Sequence, residues 1–151
     1  MRAPFQILAI RYHLKDGEPV YCVFHRADFG QWQFIAGGGE DSELPLEAAK
    51  REIFEETGVV VRQVIQLDSM CSIPCNIFAE RLVRNWPDDT FVIPEHAFGF
   101  ACDQIISLSS EHTEYAWLPY EEACKVLKWD SNRTALYELN ARLLNRKPQN
   151  N

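Results

Sequence analysis

The sequence predicts an α/β fold in which a mixed β-sheet packs against helices, and three observations support this prediction. Two apolar runs flank an Asp-Gly pair, which is typical of a β-hairpin. An acidic segment that ends at Gly58 has the apolar spacing of a helix. A leucine-rich segment near the end of the chain has the same helical spacing.

The N-terminal third of the chain predicts three strands. Residues Gln6 to His13 and Pro19 to Arg26 are expected to pair through a turn at Lys15–Glu18, because Asp-Gly favours a tight hairpin turn. A short strand from Gln31 to Ala36 is expected to enter the glycine run that begins at Gly37. The N-terminal apolar stretch is only as long as a strand and lacks a small-residue cleavage site, so we interpret it as a strand rather than a signal peptide.

The acidic segment predicts a helix that begins at residue 44 or 45 and ends at Thr57. Proline is tolerated in the first turn of a helix, and Gly58 can adopt the left-handed conformation that ends one. Ser42 or Asp41 is expected to cap the N-terminus. The apolar stripe of this helix consists of Leu46, Ala49 and Ile53.

The middle of the chain predicts two strands, from Val59 to Met70 and from about Ala97 to Cys102. Residues 71–96 between them contain three prolines and the segment Asn85–Asp89, so at least part of this span is expected to be loop. Long connections often carry specificity, and the substrate is expected to be selected there.

The last part of the chain predicts a strand from His112 to Leu118 and a short helix from Pro119 to about Leu127. A final helix is expected to be capped by Ser131. The helical stripe of this final helix consists of Leu136, Leu139, Leu143 and Leu144.

Composition limits the class of protein and its partners. The 151 residues suit one domain, and no apolar run approaches the roughly 20 residues of a transmembrane helix. The five cysteines lack zinc-site spacing and suggest reduced thiols in a cytoplasmic protein. The net charge is −7 and no basic cluster occurs, so neither a nucleic-acid polymer nor a membrane is an expected partner.

The acidic helix carries the chemistry. Glu52, Glu55 and Glu56 fall at helical i, i+3 and i+4 spacing, where like charges destabilise a helix. A bound divalent cation would favour such a cluster, and ligands that are all oxygen suit Mg²⁺ or Mn²⁺ rather than zinc. An acidic protein can still bind a polyphosphate, because bound metal ions then dominate the local charge.

The full spacing around this helix resembles the Nudix box. The stretch from Gly37 to Val59 follows the pattern G-x5-E-x7-R-E-U-x-E-E-x-G-U, where U is aliphatic, at every defined position. The matching residues are Gly37, Glu43, Arg51, Glu52, Ile53, Glu55, Glu56, Gly58 and Val59. The resemblance implies an α/β/α sandwich and the hydrolysis of a nucleoside diphosphate linked to another group, with Mg²⁺ or Mn²⁺ as cofactor.

The resemblance also implies roles for the box residues. Glu55 and Glu56 correspond to metal ligands, and Glu52 corresponds to a ligand that is also a candidate base. Arg51 is expected to hold the carboxylates by bidentate hydrogen bonds. The backbone carbonyl of Gly37 or Gly38 is a further candidate ligand, because a glycine allows close approach.

Outside the box, the chain is similar to the bacterial dihydroneopterin triphosphate pyrophosphatases, also described as dATP pyrophosphohydrolases. The similarity lies in residues 29–39, in 110–118 and in 129–135. It implies cleavage of a triphosphate between the α and β phosphates, which releases pyrophosphate. It also implies that Glu111 joins the metal site or competes with Glu52 as the base.

Contacts with the substrate are expected from several residues. Arg26 corresponds to a basic residue that can reach the phosphates, and Gly38 is expected to approach the substrate. Arg133 lies at the start of the last helix, where an anion can bind, although capping explains it almost as well. The aromatic residues that could stack on a base or pterin are Trp32, Phe34, Trp86 and Phe91.

Two alternative functions stay open. Pro74 lies near the position of a proline in ADP-ribose pyrophosphatases, so ADP-ribose or a dinucleotide is a competing substrate. A non-catalytic nucleotide-binding module of the same family is an alternative from another class. The sequence leaves the oligomeric state open, and many relatives form homodimers.

Overall fold

The computed structural model describes residues 1–26, 28, 30–102 and 112–145. Within these residues, seven strands form one mixed sheet with helices against both faces, as the sequence predicted. The strands are β1 (Arg2–Lys15), β2 (Glu18–Arg26), β3 (Trp32–Gln33), β4 (Ile35–Glu40), β5 (Ile65–Pro74), β6 (Val92–Ala101) and β7 (His112–Pro119). The helices are α1 (Pro45–Thr57), α2 (Glu80–Val83), α3 (Tyr120–Val126) and α4 (Asp130–Leu144).

Strand β1 organises the sheet because it pairs with three other strands. Its second half forms the predicted hairpin with β2, through a turn in which Asp16 and Gly17 both have positive φ, at 53° and 83°. Its first half pairs antiparallel with β4, and residues Gln6 to Tyr12 pair parallel with β6 on the other side. Strand β5 pairs with β6, and β7 pairs with β2.

Alternation along the strands divides the core into two layers. On β1, Ile7 and Ala9 pack with the residues of α1, whereas Leu8 and Ile10 pack with α3 and α4. Burying apolar side chains on both faces stabilises the sheet by about 1.5–3 kcal/mol for each large residue. The two layers fix α1 and α4 on opposite faces of the same strands.

Helix α1 begins at Pro45 and ends at Thr57 as predicted, and Gly58 adopts a left-handed conformation with φ of 74°. The predicted caps, Ser42 and Asp41, are wrong, since Leu44 is the N-cap residue. The Glu47 carboxylate accepts the Leu44 backbone N–H at 2.8 Å and replaces a side-chain cap. The predicted stripe is wrong at one position, because the buried residues include Ala48, Ala49 and Ile53 whereas Leu46 is exposed.

The boundaries of several later elements differ from those predicted. Residues 59–64 are irregular, and β5 starts at Ile65. Val59, Val61 and Val64 pack against the α1 layer, whereas Val60 is exposed. Residues 71–96 contain more regular structure than expected: the end of β5, a 3₁₀ turn at Cys75–Ile77, helix α2 and the start of β6.

The final helix also differs from its prediction at both ends. Helix α4 begins at Asp130 after Trp129 as N-cap residue, so the predicted Ser131 cap is wrong. Its stripe is buried at Leu136, Leu139 and Leu143, but Leu144 is exposed. None of the helices in the described part of the chain has the length and apolar composition to span a bilayer.

Candidate active site

The glycine run and helix α1 meet at Gly37. Gly37 to Gly39 belong to strand β4 and none of them has positive φ, so their conformation does not require glycine. Close approach makes use of it: a Cβ at Gly37 would displace the Glu52 carboxyl group, and a Cβ at Gly38 would displace the Arg2 guanidinium. The run therefore allows a carboxylate from one face and a cation from the other to approach the strand backbone.

Arg51 connects the acidic side chains of this site. Its guanidinium forms a bidentate pair with Glu43, with N–O distances of 2.9 and 3.0 Å. Nη1 donates to Glu52 at 3.1 Å and to Glu55 at 3.2 Å, and Nη2 donates to the Gly38 carbonyl at 2.8 Å. One cation thus fixes α1 against the end of β4 and lies among three carboxylates.

Glu43 secures the turn between β4 and α1. Besides its pair with Arg51, its carboxylate accepts the Glu40 backbone N–H at 2.9 Å. The hydrogen bond from Arg51 holds the pKa of Glu43 below its ordinary value. Glu43 therefore stays ionised and orients Arg51 toward Glu52.

Glu52 is a desolvated carboxylate with incomplete charge compensation. Its side chain is 12% exposed. Burial, reinforced by the neighbouring Glu55, raises the pKa of Glu52 to about 7, although Arg51 acts in the opposite direction. A further positive charge would favour the ionised form, which is the condition that a metal ligand requires.

The three predicted metal-binding glutamates share one face of α1 but differ in exposure. Glu55 is about half exposed, whereas Glu56 is buried at 7% exposure. Within the described residues, no three acidic, histidine or cysteine side chains are grouped closely enough to hold an ion. The oxygen-only donors and the desolvated Glu52 fit a hard cation, and binding one requires side-chain rearrangement or a ligand from outside the described residues. The predicted ligand and base Glu111 lies outside that part of the chain.

A cavity of about 480 Å³ lies on the other face of the sheet, between β5, β6 and the start of α4. Its wall includes Ala36, which directly precedes Gly37, and Gln6, which pairs with Gly38. Among the described strands, β4 pairs only with β1, so its other edge has no strand partner. The cavity and the carboxylates therefore lie on opposite faces of the sheet, on either side of β4.

Of three side chains predicted to bind the substrate, the structure places one at the cavity and two away from it. Arg26 lines the cavity and forms a bidentate pair with Asp28, at 2.6 and 2.8 Å. Trp32 packs against the core and against the His25 ring, with centroids 5.1 Å apart, and does not line the cavity. Arg133 donates to the Leu127 carbonyl at 2.7 Å and so connects α3 to α4 away from the cavity.

Two further candidate functional residues, Arg2 and Glu95, were not predicted from the sequence. The Arg2 guanidinium lies over Gly38, donates to Gln6 and stacks on the Phe78 ring. Glu95 is a buried carboxylate in the cavity wall, and its only sequence signal is an acidic residue within a mainly apolar strand. Residues 71–74, Ile77 and Glu95 line the cavity, in the span where specificity was expected.

Comparison with known proteins identifies the class. The NUDIX domain model matches residues 9–139. The chain belongs to the Nudix family, and it is a Nudix hydrolase.

Three individual proteins are similar to this chain over most of its length. A crystal structure assigned as a NUDIX hydrolase, from Listeria monocytogenes, is 44% identical, with a TM-score of 0.83 over 95% of this chain and 97% of that one. The dihydroneopterin triphosphate diphosphatase of Escherichia coli K12 is 31% identical over 89% of this chain and 91% of its own. The asymmetrical bis(5'-nucleosyl)-tetraphosphatase of Rattus norvegicus is 32% identical over 71% of this chain and 68% of its own.

Proposed function

We propose that this protein is a Mg²⁺- or Mn²⁺-dependent pyrophosphohydrolase that converts a nucleoside or pterin triphosphate to the monophosphate and pyrophosphate. The observation that carries the proposal is the position of the cavity, across the edge of β4 from the box carboxylates. A base or pterin ring in the cavity would extend its phosphates over Gly37 and Gly38. The similarity to the E. coli diphosphatase supports the same substrate class.

The ligands proposed for the cation are the carboxylates of Glu52, Glu55 and Glu56, the Gly37 carbonyl and Glu111. When bound, such a cation neutralises charge on the phosphate oxygens and lowers the pKa of a coordinated water. Arg51 keeps Glu52 at its place beside β4 through the contacts to Glu43 and Gly38. Glu52 and Glu111 are the two carboxylates proposed to accept the proton of the attacking water.

Arg2 is proposed as a cation that faces the phosphates on the cavity side. Its Nε is buried and has no hydrogen-bond partner among the described residues, and burial lowers its pKa. A phosphate oxygen would satisfy that donor. Arg26, at the cavity wall, is proposed to bind the same polyphosphate.

The substitution Glu56→Gln tests this assignment. Removing one charged ligand is expected to lower Mg²⁺-dependent turnover by about a hundredfold or more, while the fold persists. Pyrophosphate release from a triphosphate panel gives the rate, and a thermal melt gives the fold. Glu122→Gln, an exposed carboxylate on α3, is the matched control and is expected to retain full turnover. Unchanged turnover in Glu56→Gln would contradict the metal-site assignment.

A second candidate function is the cleavage of ADP-ribose or a dinucleoside polyphosphate. Two observations favour it: the similarity to the rat tetraphosphatase, and the position of Pro74 in the cavity wall. Product analysis separates the two functions. Pyrophosphate release supports the triphosphate proposal, whereas AMP with ribose 5-phosphate from ADP-ribose supports the alternative.

A further inference from the structure

A buried carboxylate with few donors lies in the cavity wall. Glu95, on β6, is 8% exposed. The Cys71 thiol contacts its Oε1 at 3.6 Å, and the Ser131 hydroxyl is its other hydrogen-bond partner. Thiol donors are weak, and a carboxylate can accept about four hydrogen bonds, so Glu95 keeps acceptor capacity on the side of the cavity.

A second polar group lies beside it at the start of α4. Asn132 directly follows Ser131, lines the same cavity and is 4% exposed. Its Oδ1 is buried and accepts no hydrogen bond from any described residue. An unsatisfied buried acceptor is unfavourable, so a ligand that reaches it and donates to it would gain affinity.

The remaining wall is suited to a flat aromatic ring. Phe34, Ile73, Ile77 and Trp129 contribute apolar surface to the cavity. Apolar walls with a few convergent polar groups are typical of small-molecule sites, where the polar groups fix the orientation of the ligand. Other polar side chains of the wall, Gln6, Arg26, Gln33 and Ser72, belong to other strands. Where β6 meets the start of α4, the Ser131 hydroxyl is bonded to Glu95, and Glu95 and the Asn132 Oδ1 are both acceptors.

A ligand that satisfies both acceptors must present neighbouring hydrogen-bond donors along one edge of its ring. We propose that Glu95 binds the ring N–H and exocyclic amine of a 2-amino-4-oxopyrimidine ring, while the Asn132 Oδ1 accepts the second amine hydrogen. Guanine and pterins share this edge. The inference rests on the proposed function for the position of the phosphates, and it adds the residues that select the ring.

The same chemistry disfavours other bases. Adenine and cytosine present a ring acceptor beside the amine, which would oppose a carboxylate oxygen. Hypoxanthine retains the ring N–H but lacks the 2-amino group, so it would leave the Asn132 acceptor unsatisfied. Burial raises the pKa of Glu95, and a donor edge bound there would oppose that shift by stabilising the ionised form.

Comparison of dGTP with dITP tests the proposal, because the two triphosphates differ only in the 2-amino group. For the wild type, kcat/KM is expected to favour dGTP by about ten- to hundredfold, mainly through KM. Glu95→Gln is expected to bring the ratio close to one, because a glutamine amide presents a donor where the ring also presents one. Asn132→Ala is expected to weaken dGTP more than dITP. Glu114→Gln, an exposed carboxylate on β7, is the control and is expected to keep the wild-type ratio.

Binding of GMP and IMP by calorimetry without metal gives a readout that does not depend on turnover. Tighter binding of GMP to the wild type and Asn132→Ala losing that preference would support the proposal even if Glu95→Gln fails to fold. Equal binding of GMP and IMP by the wild type, or a folded Glu95→Gln variant that keeps the dGTP preference, would overturn it. No turnover of any triphosphate, together with a GMP preference, would overturn the proposed function alone.

Discussion

Glu52 shows how one residue links stability to the proposed chemistry. It is desolvated against β4 and has Glu55 as a neighbour, and Arg51 compensates only part of this cost. An acidic group whose pKa is raised in the folded state destabilises that state as it ionises. The cost begins above the unfolded pKa of 4.5 and is complete above about 7.

We expect Glu52→Gln to stabilise the metal-free protein. At pH 8 the free energy of unfolding should rise by about 1–2 kcal/mol relative to the wild type, because the neutral amide avoids the cost of ionisation. The difference should shrink as the pH falls toward 5. Denaturant unfolding in the presence of a chelator, at several pH values, measures it. A metal-free variant less stable than the wild type at pH 8 would contradict this view of Glu52.

At the scale of elements, helix α4 holds an irregular part of the edge strand β5. The register with β6 shifts between Gln66 and Met70, and the Glu138 carboxylate accepts the backbone N–H groups of Asp68 and Ser69, both at 2.7 Å. Arg142 donates to the same carboxylate at 2.8 Å. Desolvation opposes ionisation, but the hydrogen bonds from the Ser69 hydroxyl, the two backbone groups and Arg142 outweigh it and lower the pKa of Glu138 to about 2.

We expect Glu138→Gln to destabilise the protein by about 1–3 kcal/mol at pH 7, because charge-assisted hydrogen bonds to two backbone donors weaken. The folded-state pKa is depressed, so the stabilisation by Glu138 is complete above pH 4.5 and is lost as the pH falls toward 2. Denaturant unfolding of both proteins from pH 7 to pH 3 tests this, with Glu122→Gln as the control. A difference that does not narrow below pH 4.5 would contradict the role of the charge.

Local signals explain which elements could be predicted from the sequence. The turn at Asp16–Gly17 and the end of α1 at Gly58 depend on residues that tolerate positive φ, so their positions follow from residue type. The N-cap residues Leu44 and Trp129 carry no such signal, because neither side chain caps its helix by a hydrogen bond, and at α1 Glu47 bonds the Leu44 N–H instead. The strand predicted from Val59 was wrong at its start, because valines suit a packed irregular segment as well as a strand.

The residues of the candidate site also differ in whether local sequence signals predict their positions. The box is contiguous in sequence, and its spacing on a helix predicts which carboxylates share a face. Glu95 and Arg2 lie far from the box in sequence, and only the sheet register brings them to the cavity and to Gly38. Trp32 and Arg133 have residue types that suit a ligand, but the fold uses them for core packing and for connecting α3 with α4.

In the molecule as a whole, the two core layers hold different parts of the proposed active site. The α1 layer holds the carboxylates, and the α4 layer encloses the cavity on the opposite face. Strand β4 is the edge between them, so the proposed substrate must cross that edge for its phosphates to reach Glu52.

Analysis of the products from a triphosphate in the presence of Mg²⁺ tests the central claim most directly. Incubating dGTP or dihydroneopterin triphosphate with the enzyme and resolving the products by ³¹P NMR distinguishes pyrophosphate from orthophosphate. We expect the monophosphate and pyrophosphate in equal amounts, and no reaction in a chelator. Release of orthophosphate with the diphosphate, or no cleavage of either triphosphate while ADP-ribose is hydrolysed, would contradict it.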